Sequence, residues 1–286
     1  MAAIRRGFID IAEGQVHFRA AGPEPQPGGQ GPLLVFHGSP GSSEQLERFI
    51  AAMGETRPVF GFDTMGLGDS SPPAHDNADM AYFADAAFRA AQALGLDRVD
   101  LFGSHTGARI AVEYAIARPS AVRRMVLDGM SAQVTAQGRD YATTLDKRQY
   151  IDQTGTHWHV AWQTLRDAYL FSPHDKLVAE SVRPVGLPPL ERLHAHICEI
   201  LKGIRTSHHA YIAAVLYDSP ARLPLVGVPT LAIAARNDTP YPHLDGVAKL
   251  IPGCVKMEHP SPNPETLATD DEAADLARMV AGWLDS

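Results

Sequence analysis

Short, unbroken apolar runs alternate along this chain with stretches whose apolar residues recur at helical spacing. The runs Leu33–Phe36, Pro58–Phe62 and Arg124–Leu127 read as strands buried on both faces, because a strand with one wet face would alternate polar and apolar residues. Between them, Glu44–Met53 and Ala78–Leu94 carry helical periodicity, and Gly95 stops the second. Two alternating segments, Gly7–Ala12 and Gln15–Ala21, meet near Glu13-Gly14 and predict an opening hairpin. The Gly/Pro/Gln-rich stretch Gly22–Pro32 predicts a loop. Strands alternating with helices predict a mostly parallel sheet with helices on both faces.

That rhythm breaks after Asp128-Gly129. From Ser131 to about Leu223 the pattern is helical with no clear strand, and seven of the 13 histidines fall here. The strand pattern returns at Val228 and runs to Asp238. A helix over Leu244–Leu250, a strand over Cys254–Glu258 and an amphipathic helix over Asp271–Leu284 complete the chain. The expected organisation is a sheet domain over 1–130 and 224–286, interrupted by a helical cap over 131–223.

Composition narrows the partners. With 45 % hydrophobic and 20 % charged residues, the 286-residue chain can bury a real core. A net charge of −8 without a basic block argues against a nucleic-acid partner. No apolar run is long enough to cross a bilayer, the N-terminus lacks a signal-peptide pattern, and Cys198 and Cys254 make no disulfide framework. A small-molecule substrate and a cytoplasmic setting are the expectation; a homodimer is left open. The cap histidine pairs His157/His159 and His194/His196 diverge on a helix and His208-His209 are adjacent, so no metal site is expected.

The candidate chemistry centres on Arg98–Ala111, R-V-D-L-F-G-S-H-T-G-A-R-I-A. It predicts strand, sharp turn and helix, with Gly103 and Gly107 enclosing Ser104, His105 and Thr106. Three further motifs accompany it: H-G-S-P at His37–Pro40, D-x-x-G-x-G-x-S at Asp63–Ser70, and a strand ending in R-N-D at Asp238. Together, in this order, they resemble the α/β-hydrolase superfamily, in the branch with a helical cap after the sixth strand. The resemblance implies an α/β-hydrolase fold with a mostly parallel eight-stranded sheet, a nucleophile elbow at Gly103–Gly107 and no cofactor. It also implies an oxyanion hole from the backbone N–H groups of Ser39 and Thr106, with His37 and Gly38 shaping that loop beside the substrate, and a triad acid at Asp238. Asp128, after the sixth strand, is a second candidate acid.

Two positions depart from the family pattern. The elbow centre, which should hold Ser, Cys or Asp, is His105, and the serine stands one place early at Ser104. The loop that should carry the family histidine reads M-E-H-P-S-P-N-P-E; its usual position falls on Asn263, and the nearest histidine is His259. His105 acting at the elbow, Ser104 presented by a register shift with His105 or His259 as base, and a degenerate elbow remain three readings of this turn. Trp158 and Trp162, with Tyr169 and Phe171, are expected to line the pocket under the cap. The expected function is hydrolysis of a small or medium carbonyl substrate (an ester, lactone or C–C bond) with His105 in place of serine. The alternatives are a lyase or isomerase using His105 for proton transfer, and a non-catalytic ligand-binding relative.

Overall fold

In the computed structural model, residues 1–26, 28–133, 151–172, 174–262 and 269–286 are described. The eight strands are β1 (Arg5–Ile11), β2 (Gly14–Ala21), β3 (Leu33–Phe36), β4 (Val59–Phe62), β5 (Val99–Ser104), β6 (Val122–Asp128), β7 (Thr230–Ala234) and β8 (Val255–Glu258). They form one sheet in the order β1-β2-β4-β3-β5-β6-β7-β8. β1 pairs with β2, and β2 with β4, antiparallel; from β4 to β8 every pairing is parallel. The predicted runs form strands because β3, β4, β5 and β7 are buried along their whole length, which a continuous apolar run permits and an alternating one would not.

Helices cover both faces. α2 (Met80–Ala93) and α3 (Thr106–Ala117) pack with Leu34, Phe36 and Leu101 on one side. α1 (Glu47–Met53) and the C-terminal helix (Asp270–Leu284) pack with Leu33, Val35 and Phe102 on the other. Local chemistry sets the ends. Asp79 Oδ1 accepts the Tyr82 N–H, so α2 begins at Met80 and not at Ala78. Thr269 and Glu272 form a reciprocal capping box at the start of the last helix.

Between β6 and β7 the described residues hold α4 (Thr156–Leu170), α5 (Leu190–Lys202), α6 (Ser207–Val215) and α7 (Ser219–Arg222). One isolated antiparallel bridge, Phe171–Val182, interrupts this otherwise helical stretch. The part of the expected cap over 134–150 lies outside the described residues.

The strand order reverses where β3 has β4 on one side and β5 on the other. In an open parallel sheet that reversal parts the loops at the C-terminal strand ends and leaves a crevice there. The loop after β3 begins at His37 and the turn after β5 holds His105, so both lie at this place.

Candidate active site

The elbow is tight because glycine allows it to be. A Cβ on Gly103 would stand 2.3 Å from the Gly107 carbonyl oxygen, and one on Gly107 would stand 2.2 Å from the Phe36 carbonyl oxygen. α3 can therefore start against β3 and β5 only with glycine at both places. The turn bends at His105, with φ 51° and ψ −107°, the one non-glycine residue with positive φ among the described residues. Such a conformation costs on the order of 1–3 kcal/mol and persists only where neighbours enforce it. Here the His105 N–H donates to the Asp128 carbonyl at 2.8 Å, and the His105 carbonyl accepts from Ala108 N at 3.1 Å and Arg109 Nη1 at 2.8 Å. Burial pulls the Arg109 guanidinium down to about 10, which leaves it charged at neutral pH. No sequence motif pointed to Arg109; its place one helical turn after the elbow is the signal that was available.

The His105 side chain is 30 % exposed, and its Nε2 lies 3.2 Å from Oδ2 of Asp238, at the end of the loop after β7. Neither Asp238 oxygen accepts an aligned hydrogen bond among the described residues, so this is a close electrostatic approach that a bound substrate can tighten. Gly129, just after β6, lies against both groups. A Cβ there would be 3.0 Å from His105 Nε2 and 3.0 Å from Asp238 Oδ2, and its φ is +65°. Gly129 thus makes the His105–Asp238 contact sterically possible, a role that D-G at a strand end did not advertise.

Ser104 meets Asp128 and not the Asp238 carboxylate among the described residues. It is buried at the end of β5, and its Oγ donates to Asp128 Oδ2 at 3.4 Å. The strained apex of the turn is His105, and Ser104 precedes it as the last residue of β5. Burial pushes the Asp128 carboxyl above the usual range; Asp238 adds to this, while His259 and His105 oppose it. Asp128 Oδ1 is buried without a hydrogen bond partner among the described residues.

His259 follows β8 and is buried, so it is not a surface-loop histidine. Its Nδ1 accepts the Ser261 N–H at 3.0 Å and also lies 2.9 Å from the Ser261 carbonyl. Its Nε2 is buried with no hydrogen bond partner among the described residues. His259 and His105 both act electrostatically on Asp128, so the ends of β5, β6, β7 and β8 bring His105, Asp128, Asp238 and His259 into one cluster. Asn263 lies outside the described residues.

The other wall is the loop after β3. A Cβ on Gly38 would be 3.5 Å from His105 Cβ, which places the H-G-S-P loop directly against the elbow. Thr106 opens α3, so its N–H belongs to the first helical turn, whose donors have no partner within the helix. His37 differs from the expectation of a substrate-binding residue. It is fully buried; its Nδ1–H donates to the Gly38 carbonyl at 2.6 Å and its Nε2 accepts the Thr64 N–H at 3.1 Å. Burial lowers its pKa, consistent with a neutral ring that ties this loop to the one after β4. Trp158 and Trp162, expected to line the pocket, are exposed at 59 % and 37 % on α4. From the stretch between β6 and β7, His196 Nε2 lies 3.4 Å from the Pro40 carbonyl, and Arg192 hydrogen bonds to Glu44 and Gln45. His196 lies 3.0 Å from Gln45 Nε2, and Tyr169 Oη lies 3.0 Å from His196 Nδ1.

The loop after β4 is organised by Asp63 and by Ser70, whose Oγ accepts the His17 N–H at 2.9 Å and donates to the Asp63 carbonyl at 2.8 Å. Asp63 accepts from Ser43 N and Oγ and from Asp69 N, and pairs with His17 Nδ1 at 2.8 Å. Burial works against its charge, yet these donors and His37 hold its carboxyl well below the usual range. Although His17, Asp63 and Asp69 stand close together, Asp63 is already engaged at both oxygens and Asp69 pairs with Lys202. The donor set is a structural network, and it does not fit a resident metal.

Residues 31–260 match the family model for the alpha/beta hydrolase fold, so the chain belongs to that family. The chain is 30 % identical over 142 residues to a proline iminopeptidase of Heyndrickxia coagulans, covering 49 % of this chain and 48 % of that one. It thus matches about half the length of that relative. Among solved structures, an enol-lactonase from Burkholderia xenovorans LB400 superposes with a TM-score of 0.69 at 17 % identity, covering 98 % of this chain and 100 % of that one. An esterase from Exiguobacterium antarcticum does so with a TM-score of 0.69 at 20 % identity, covering 98 % and 99 %. At those identities the structural likeness shows the fold alone. Among the described residues, no helix is long and apolar enough to cross a membrane.

Proposed function

We propose that this protein is a hydrolase of small or medium carbonyl compounds in which His105 replaces the usual serine and acts as a general base. The observation that carries this reading is the strained His105 backbone at the elbow apex with Asp238 Oδ2 3.2 Å from its Nε2. A carboxylate beside Nε2 favours the proton on that nitrogen and leaves the lone pair on Nδ1. Nδ1 then takes a proton from water as the water oxygen bonds to the substrate carbonyl carbon, and the carbonyl oxygen becomes an oxyanion. The N–H groups of Ser39 and Thr106 stabilise that oxyanion. The Asp238 charge stabilises the imidazolium, which returns its proton to the leaving group as the tetrahedral intermediate collapses. The names of the similar proteins, an esterase, an enol-lactonase and a proline iminopeptidase, support hydrolysis of a carbonyl derivative.

The test is a panel of aryl esters and lactones with wild type, His105→Ala and Ser104→Ala, together with a fluorophosphonate probe. Turnover lost in His105→Ala at unchanged melting temperature, kept in Ser104→Ala, and no probe labelling are expected. Labelling that disappears in Ser104→Ala would sink the reading. Turnover of no hydrolysable substrate, with proton exchange at a carbonyl α-carbon that needs His105, would replace hydrolysis by a lyase or isomerase reaction.

A further inference from the structure

Gln45 lies in the short 3-10 turn Ser43–Leu46 that follows the H-G-S-P loop. Its carboxamide orientation is fixed by its partners. Nε2 donates to the Pro40 carbonyl at 3.0 Å, an arrangement the amide oxygen would make repulsive. The same nitrogen lies 3.0 Å from His196 Nε2, which also lies 3.4 Å from the Pro40 carbonyl; the shorter contact makes Nε2 the acceptor from the amide, with the ring proton on Nδ1, facing Tyr169 Oη at 3.0 Å. Burial lowers His196 to about 4, so the ring stays a neutral acceptor at ordinary pH. The backbone is clamped too: Arg192 Nη2 donates to the Gln45 carbonyl at 2.6 Å, and Nη1 donates to Glu44 Oε1 at 2.5 Å.

With Nε2 so occupied, Oε1 is the end of the carboxamide left for a ligand. It accepts no hydrogen bond among the described residues and is absent from the buried unpaired atoms. It also lies at the site. A Cβ on Gly38 would be 3.6 Å from Gln45 Oε1 and 3.5 Å from His105 Cβ, so the amide oxygen and the elbow residue flank the same point. Ser39, whose N–H the proposed mechanism uses, is the next residue.

We infer that Gln45 Oε1 is a substrate-contacting acceptor that selects carbonyl substrates bearing an O–H or N–H donor on the carbon next to the carbonyl. This rests on the reading of His105 as the base beside a carbonyl held by Ser39 and Thr106. A substrate oriented that way can turn its neighbouring carbon toward Gly38, where the fixed amide oxygen accepts the donor. His196 and Tyr169 are positioning residues: they hold the amide and do not touch the substrate.

The experiment compares p-nitrophenyl glycolate with p-nitrophenyl propionate, each kcat/KM divided by the spontaneous hydrolysis rate. Wild type is expected to favour the glycolate by roughly five- to tenfold, the worth of one neutral hydrogen bond. In Gln45→Leu that ratio should fall to about one. A wild-type ratio of about one, or a ratio that survives in a folded Gln45→Leu, overturns the inference while leaving hydrolysis intact. If wild type turns over neither ester, the hydrolase reading fails, and the inference is read instead by calorimetric binding of α-hydroxyacetophenone against propiophenone. Tighter binding of the hydroxy ketone by wild type, lost in Gln45→Leu, supports it; equal binding, or none, overturns it. The wild-type comparison decides even if the variant does not fold.

Discussion

The His105 imidazole meets the Asp238 carboxylate with no other side chain between them, Nε2 to Oδ2 at 3.2 Å. In the triad the family resemblance implies, a serine at the elbow reaches its acid through a separate histidine. Here the elbow residue is itself the imidazole, and it lies directly beside the carboxylate. Asp238→Asn removes the charge that, in the proposed mechanism, orients the ring and stabilises the imidazolium. It is expected to lower kcat/KM on a hydrolysed ester by about 10²–10⁴-fold while the melting temperature stays within a few degrees. A loss below about threefold would place the function elsewhere.

The same contact depends on Gly129. In Gly129→Ala the methyl group falls 3.0 Å from both His105 Nε2 and Asp238 Oδ2, at a backbone φ of +65°. The left-handed backbone alone costs about 1–2 kcal/mol. Urea unfolding should show that loss, and kcat should fall more than tenfold, by rough analogy with other small displacements at catalytic groups. An active variant of wild-type stability would show that the two groups need not approach.

His37 is expected to act through the loop and not by touching substrate. His37→Phe leaves the buried Thr64 N–H without its acceptor. The expected cost is about 1–3 kcal/mol in chemical denaturation. Any activity change should appear equally for substrates of different size. A KM effect confined to one substrate, without loss of stability, would return His37 to the binding surface.

Stability should fall as the solution is acidified through the His196 range. The free histidine has a pKa of 6.5, and burial lowers His196 to about 4. Between these values the unfolded chain holds a proton that the folded one does not, so stability rises with pH across the window and falls as pH drops. The full effect is about 3 kcal/mol, and buried His37 adds in the same direction. Urea midpoints measured at about pH 7 and about pH 4.5 should therefore diverge less in His196→Gln than in wild type. An unchanged difference would mean that His196 is charged in the folded state.

Much of the fold was legible because it rests on local rules. The continuous apolar run Leu33–Phe36 became β3 at those same residues, and Leu244–Leu250 became a helix with the predicted limits. Gly103 and Gly107 announced the elbow because no residue with a side chain could stand 2.2 or 2.3 Å from the facing carbonyls. The order of motifs carried the family, since chain order fixes which loops leave the C-terminal ends of the strands.

What the sequence could not decide was direction. It placed Ser104 and His105 side by side, and only the backbone at φ 51° determined which one crowns the turn. It offered Asp128 and Asp238 as acids, and only the packing over Gly129 set the His105 ring against Asp238. It singled out Trp158 and Trp162, while Gln45 is met by His196 and Arg192, each more than a hundred residues away along the chain. Spacing along the chain specifies strands, turns and helices because those bonds are local. The partners of a buried imidazole are chosen by which strand ends the sheet brings together, and that is settled only when the whole chain has packed.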